Sequence, residues 1–222
     1  MNLKYNKSKQ EMREDPLIEL LLKTKSFFVK NSNQIVGGLI VIAVLIGGFM
    51  IFSNIRKSGE LKAREAFGKA MIYYTENNLE KAVEEFKITA ENHGSSPHAS
   101  MSAFILARIL YDQKKYDDAL VWYENSIKGS KSVEFVGGQA LEGMAACYEA
   151  KGDVSSAIQA LEKALKDERV KFRHNAIKWK IALLDRNSQK SHTYLKEIIS
   201  DTTATDLHQR AENLLATLNA GS

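Results

Sequence analysis

The chain has 222 residues, a net charge of +4 and a single cysteine, Cys147. The basic excess sits in the first thirty residues, where seven lysines and arginines face four acids, so the remainder carries only +1. A body this close to neutral excludes a nucleic-acid-binding domain built on a basic surface. The length supports one domain with a sizeable core, and one cysteine permits no internal disulfide.

Residues 1–13 are polar and basic and read as a disordered tail. Glu14, Asp15 and Pro16 then read as a helix start, with acids where the helix dipole favours them and proline in the first turn. Leu17, Leu20, Leu21, Phe27 and Phe28 follow at near-helical spacing, with Lys23, Lys25 and Lys30 between them. This stretch fits either an amphipathic helix lying at a headgroup surface or an extension of the helix that comes next.

Gln34 to Ser53 contain no charge, and Ile35 to Phe52 are eighteen nearly continuous apolar and glycine positions. At about 1.5 Å per residue, twenty helical residues cover roughly 30 Å, the thickness of a bilayer's hydrocarbon core. The apolar run is longer than a signal peptide's, and the sequence from Phe52 to Arg56 offers no small-x-small cleavage site. The expectation is one uncleaved anchor at 34–55, a basic tail at 1–33 and a folded body at 56–222. A short basic flank stays in the cytosol while a long domain translocates largely regardless of charge, which places the body outside. Ala43 and Gly47 have the small-xxx-small spacing of helix–helix contacts, a pattern that apolar segments also produce by chance.

Beyond the anchor the apolar pattern has helical periodicity and strand signals are nearly absent. Three stretches repeat one another. Each has a small residue (Ala70, Ala107, Ala145), then a large one (Tyr73, Leu110, Tyr148), then a polar turn (Asn77–Asn78, Lys114–Lys115, Gly152–Asp153). A bulky residue follows (Leu79, Tyr116, Val154), then an alanine (Ala82, Ala119, Ala157), then Phe86, Tyr123 or Leu161. The pattern resembles the tetratricopeptide repeat, a helix–turn–helix unit of about 34 residues whose small residues let paired helices approach and whose bulky residues fill the gaps between layers. Ala82 to Ala119 and Ala119 to Ala157 are 37 and 38 apart, the surplus falling in the connectors Asn92–Pro97 and Gly129–Gly138. Three units span about 60–168. A degenerate fourth pair with Ala182 and Leu195 is expected near 172–200, and Thr205–Leu218 reads as a capping helix with Leu207, Ala211, Leu214, Leu215 and Leu218 on one face. The expected fold is thus all-α: a single transmembrane helix, a helical-hairpin solenoid and a C-terminal cap.

Motifs for chemistry are missing: there is no P-loop, nucleophile elbow, HExxH or paired Cys-x-x-Cys, so no catalytic, cofactor or metal site is expected. His93 and His98, near Glu91, read as solvated connector histidines, and Cys147 as a small buried residue. Tyr73, Tyr74, Trp122, Tyr123 and Trp179 read as solenoid core rather than a base-stacking ladder, since no basic stripe accompanies them.

What remains is recognition. The first helices of tetratricopeptide units line a concave groove, and the resemblance nominates Arg64, Phe67, Met71 and Tyr74 from the first unit and Met101, Phe104, Arg108 and Tyr111 from the second. Gln139, Glu142 and Glu149 follow from the third, so the groove is expected to turn acidic there. Serine at Phe67, Tyr74 and Phe104 is expected to leave the fold intact. The carboxylate-clamping pattern of tetratricopeptide co-chaperones is absent, because Phe67 and Met71 occupy two of its positions. The whole layout resembles the YfgM-like bacterial proteins, ancillary subunits of the Sec translocon. That resemblance implies a non-enzymatic, single-pass protein of the bacterial inner membrane with a periplasmic domain. Its implied partners are translocon subunits, a membrane-anchored periplasmic chaperone or exported polypeptide segments, with no nucleic acid or small-molecule substrate. A scaffold of another envelope assembly, or a regulator acting through the cytosolic tail, are the alternatives.

Overall fold

A computed structural model of the protein describes residues 16–94, 96–129, 133, 135–202 and 204–220. The basic tail at 1–13 and the Glu14–Asp15 step lie outside the described residues. Among those described, all regular structure is helical. The chain divides into two units, Met1–Lys57 and Ser58–Ser222.

The first unit holds α1 (Pro16–Lys30) and the opening part of α2 (Ser32–Thr75). Only Asn31 separates them, and the ladder runs through it: its N–H donates to Phe27 O at 3.0 Å, and its own oxygen accepts from Ile35 N at 2.9 Å. Side chains from Val36 to Ile55 are uncovered by protein, Phe49 being 72% exposed and Ile51 66%. A helix apolar on every side leaves no stripe for water to prefer. By length and composition α2 is able to cross a membrane, where its backbone groups are all satisfied internally.

The second unit is a stack of antiparallel helical hairpins. The end of α2 precedes α3 (Leu79–Asn92); α4 (Pro97–Asp112) pairs with α5 (Tyr116–Gly129), and α6 (Val136–Ala150) with α7 (Val154–Ala164). A 3-10 segment, Glu168–Arg173, leads to α8 (His174–Leu184), α9 (Gln189–Ser200) and α10 (Thr205–Ala220). Ala70, Ala107, Ala145, Ala82, Ala119 and Ala157 are all fully buried, as their repeat positions require. Phe86 and Leu161 are fully buried and Tyr123 nearly so. Leu79 and Val154 depart from the expectation that every bulky repeat position fills a gap. They stand in the first turn of α3 and α7 and stay 37% and 40% exposed.

Three core clusters run along the stack. The first centres on Phe86, Leu106 and Tyr123, the second on Leu161, Ile177 and Ile181, and the third on Leu195, Ile198 and Ala211. The fourth pair is anchored by buried Ala182 and Leu195. Leu207, Leu214, Leu215 and Leu218 of α10 cover the third cluster, with Trp179 half-buried beside them. Cys147 is fully buried, and burial pushes its thiol up to about 11, so it behaves as a small apolar residue.

The hairpin turns are the same three times. Asn77, Lys114 and Gly152 take positive φ (58°, 62°, 79°). Each N–H donates to the carbonyl three residues back, and the next N–H to the carbonyl five back: Asn78 to Tyr73, Lys115 to Leu110 and Asp153 to Tyr148, all at 2.9 Å. This is the Schellman closure, which satisfies orphan carbonyls at a helix end. Asn78 and Asp153 then cap the following helix, accepting from Lys81 N at 3.3 Å and Ser156 N at 3.0 Å. Gly152→Ala places a Cβ on a left-handed residue and should cost about 1–2 kcal/mol. Lys114→Glu exchanges one Cβ-bearing residue for another and should stay within about 0.5 kcal/mol of neutral. Urea midpoints of the two variants check this; similar losses for both would mean the turn backbone is not what distinguishes them.

Candidate protein-interaction surface

The residues nominated for the groove lie on α2 and α4 at helical spacing. Residues 64, 67, 71 and 74 share one face of α2, and 101, 104, 108 and 111 one face of α4. Phe67, Met71, Tyr74, Phe104 and Tyr111 are half-buried and packed against the first core cluster. Met101 is half-buried, while Arg64 and Arg108 are exposed.

The rings are held from behind by the second helices. Phe67 and Tyr74 have centroids 6.0 and 6.2 Å from buried Phe86 on α3. Phe104 is 5.9 Å from Tyr123, and Tyr111 is 5.5 Å from Tyr116, both on α5. Burial raises the phenol pKa of Tyr111 and of Tyr123 above the ordinary value, so both stay neutral donors. Each ring thus serves the repeat's own hairpin as well as its outer face. The expectation that serine at Phe67, Tyr74 and Phe104 leaves the fold intact is therefore wrong, since all three would remove contacts to buried rings.

Position matching also missed the charges. His98 is no solvated connector histidine. It is the second residue of α4, half-buried, with Nδ1 2.5 Å from Glu60 Oε1 on α2 and its ring 5.5 Å from Phe67. Helical phasing of Gly59–Glu60 alone gives no hint of a partner 38 residues away. The expected acidic end of the groove is neutralised. Arg173 grips Glu142 with two bonds, Nε to Oε1 at 2.6 Å and Nη2 to Oε2 at 2.8 Å, and Lys180 Nζ lies 3.1 Å from Glu149. The bidentate pair also raises the guanidinium pKa of Arg173. Gln139 on α6 is half-buried.

Arg108 is different. Its guanidinium carbon lies 6.0 Å from the Phe104 ring centroid. No carboxylate pairs with it or with Arg64 among the described residues.

Elsewhere in the second unit an open depression of about 480 Å³ lies between the end of α3, the start of α4 and α5, with Ala99, Ser100 and Ala103 among its lining residues and Trp122 at its side. Among the described residues no three His, Cys, Asp or Glu side chains gather as a metal site would need.

A family model agrees with the repeat architecture. The tetratricopeptide repeat-like domain family matches residues 25–167, a span that includes the apolar segment and the three clear repeats. No curated protein matches the chain. Solved structures that resemble it include nearly identical TPR-like repeats from Podosopora anserina, assigned to a putative kinesin light chain. That structure has a TM-score of 0.44 and 16% identity, over 72% of this chain and 94% of the other. A point variant of the same Podosopora anserina repeats has the same TM-score and identity, over 93% of its own length. Repeats of this type are protein–protein interaction modules, typically non-enzymatic scaffolds, and no enzymatic family is indicated. With the family model covering well over half the sequence and its repeat alanines buried at every matched position, the chain belongs to the tetratricopeptide repeat-like domain family.

Proposed function

We propose that this is a membrane-anchored protein-interaction module of the bacterial cell envelope, with α2 as its anchor, its tail in the cytosol and its repeat domain in the periplasm. The observation that carries the reading is the joining, in one chain, of a helix able to cross a membrane with a repeat array whose first helices present half-buried aromatic and methionine side chains. Large rings and methionines give contact area with few directional demands, which suits varied polypeptide partners. The overall layout, similar to YfgM-like proteins, favours an ancillary role at the Sec translocon or in a periplasmic chaperone network. Partners would then be translocon subunits, a membrane-anchored chaperone or exported segments. The groove would be lined by Phe67, Met71, Tyr74, Met101, Phe104, Arg108 and Tyr111.

Crosslinking in native membranes, followed by pull-down and mass spectrometry, tests the partner. Enrichment of translocon or chaperone subunits is the expected result, and enrichment of division or outer-membrane assembly proteins would favour a scaffold instead. Topology has its own test. External protease on spheroplasts should digest the repeat domain and spare a tag at the N-terminus. Digestion of the tag with protection of the repeats would reverse the orientation and remove the translocon reading.

A further inference from the structure

We propose that the outer face of α2 in the first repeat docks a helix of a partner protein that carries a large aromatic residue and, one turn later, a lysine or arginine. The face consists of Leu61, Glu65, Gly68 and Ile72, at i, i+4, i+7 and i+11 of one helix. It lies about 100° round α2 from the residues nominated for the groove, so the two sites are separate. Leu61 and Ile72 are 57% and 58% exposed, and Glu65 is exposed as well. The later repeats show what the same positions ordinarily do. Ile72 corresponds to Ile109 and Cys147, which are 3% and 0% exposed, and Glu65 to Ser102 and Ala140, both fully buried. Leu61 corresponds to half-buried His98 and buried Val136. In those repeats the first helix packs on the second helix of the repeat before it, α4 on α3 and α6 on α5. α2 opens the stack, and no such helix covers it among the described residues.

A glycine identifies the side chain that fits. Gly68 corresponds to Ile105 in the second repeat and to Gly143 in the third. At Gly143 the preceding helix brings in a ring so closely that a Cβ there would overlap Cζ of Tyr123. At Gly68 nothing lies within 4 Å of the same point, so the notch is open. An aromatic ring is its complement, with Leu61 and Ile72 on either side. α5 and α6 run antiparallel, since Lys151 just past the end of α6 pairs with Asp117 in the first turn of α5. A residue one turn before the glycine therefore faces a residue one turn after the ring. There the first repeat has Glu65 in place of Ser102 and Ala140. Glu65 has no ion pair among the described residues, and Lys69, one turn along, is held by Glu85 of α3. A cation on the incoming helix answers that carboxylate. A second copy is the poorer occupant, because its own α2 face offers no ring and would set Glu65 beside Glu65.

The test uses the full-length chain in detergent micelles and a fluorescent helical peptide copied from α5, Tyr116–Gly129, carrying Ile127→Lys. One control peptide adds Tyr123→Ala, and another carries Ile127→Glu in place of the lysine. Wild type should bind the lysine peptide about tenfold more tightly than either control at low salt. Gly68→Leu fills the notch and should cost about tenfold in affinity. Its circular dichroism and melting should hold, since no atom lies within 4 Å of the added Cβ and leucine is the better helix former. Glu65→Lys should turn the preference toward the Ile127→Glu peptide. Absence of binding, equal binding of the Tyr123→Ala peptide, full affinity in Gly68→Leu or an unchanged charge preference in Glu65→Lys would each overturn the proposal. A wild-type dimer that Gly68→Leu converts to monomer in analytical ultracentrifugation, without peptide binding, would overturn it in favour of a second copy. Crosslinks formed from Met71 or Tyr111 in native membranes test the groove reading independently, so failure of one is distinguishable from failure of the other.

Discussion

Phe86→Ala should lower the stability of the repeat domain by about 3–5 kcal/mol, or roughly 6–20 °C in melting temperature for a domain of this size. Phe86 is fully buried and touches two rings of the opposite helix, Phe67 at 6.0 Å and Tyr74 at 6.2 Å. Removing it deletes the transfer energy of a large side chain and leaves a void bordered by two aromatics that cannot both collapse into it. Phe67 and Tyr74 would then lose their backing. Thermal unfolding followed by circular dichroism measures the effect. A loss below about 1 kcal/mol would mean that the first hairpin is not packed around this ring.

Ala119→Leu is expected to be damaging for the opposite reason. Ala119 is fully buried where α5 meets its neighbours, and three added carbons have no space there. Overpacking of this kind costs about 1–3 kcal/mol, and in a continuous stack the displacement passes to the next repeat. Gly143→Ala makes the same point with one methyl. A Cβ at Gly143 on α6 would overlap Cζ of Tyr123, whose ring is held between this helix and Phe104. Alanine's better helix propensity, about 1 kcal/mol, works against that clash, so a net loss would show that packing dominates. Both variants should melt below Lys114→Glu, which changes only an exposed turn. Equal melting temperatures for all three would refute the repeat register.

The hairpin pattern was legible because a tetratricopeptide-like unit is mostly local. Its alanines, turns and caps recur at intervals of 37 and 38, and each is dictated by contacts within one or two adjacent helices. Thus Ala70, Ala107 and Ala145 could be named as contact residues before any coordinates, and all three are fully buried. The same locality made α10 readable, since its one apolar face, with Leu207, Leu214, Leu215 and Leu218, covers the third cluster.

Contacts that cross between repeats were not legible. Gly138 takes Val170 of the 3-10 segment so closely that a Cβ would lie 2.5 Å from it, yet in the sequence it is one of two adjacent glycines near a helix start. Glu142 and Glu149 read as a free acidic surface because Arg173 and Lys180 belong to the next pair, where the repeat pattern is degenerate and gives no register. His98 read as a solvated histidine because its partner Glu60 lies a whole hairpin away. Sequence alone determined the helices, their turns and the residues at which they touch, because periodicity and small-residue spacing are properties of single elements. Only the tertiary structure decided which charges cancel and which, like Arg108, have no carboxylate partner among the described residues, because ion pairing depends on the distance between side chains that the chain order keeps apart.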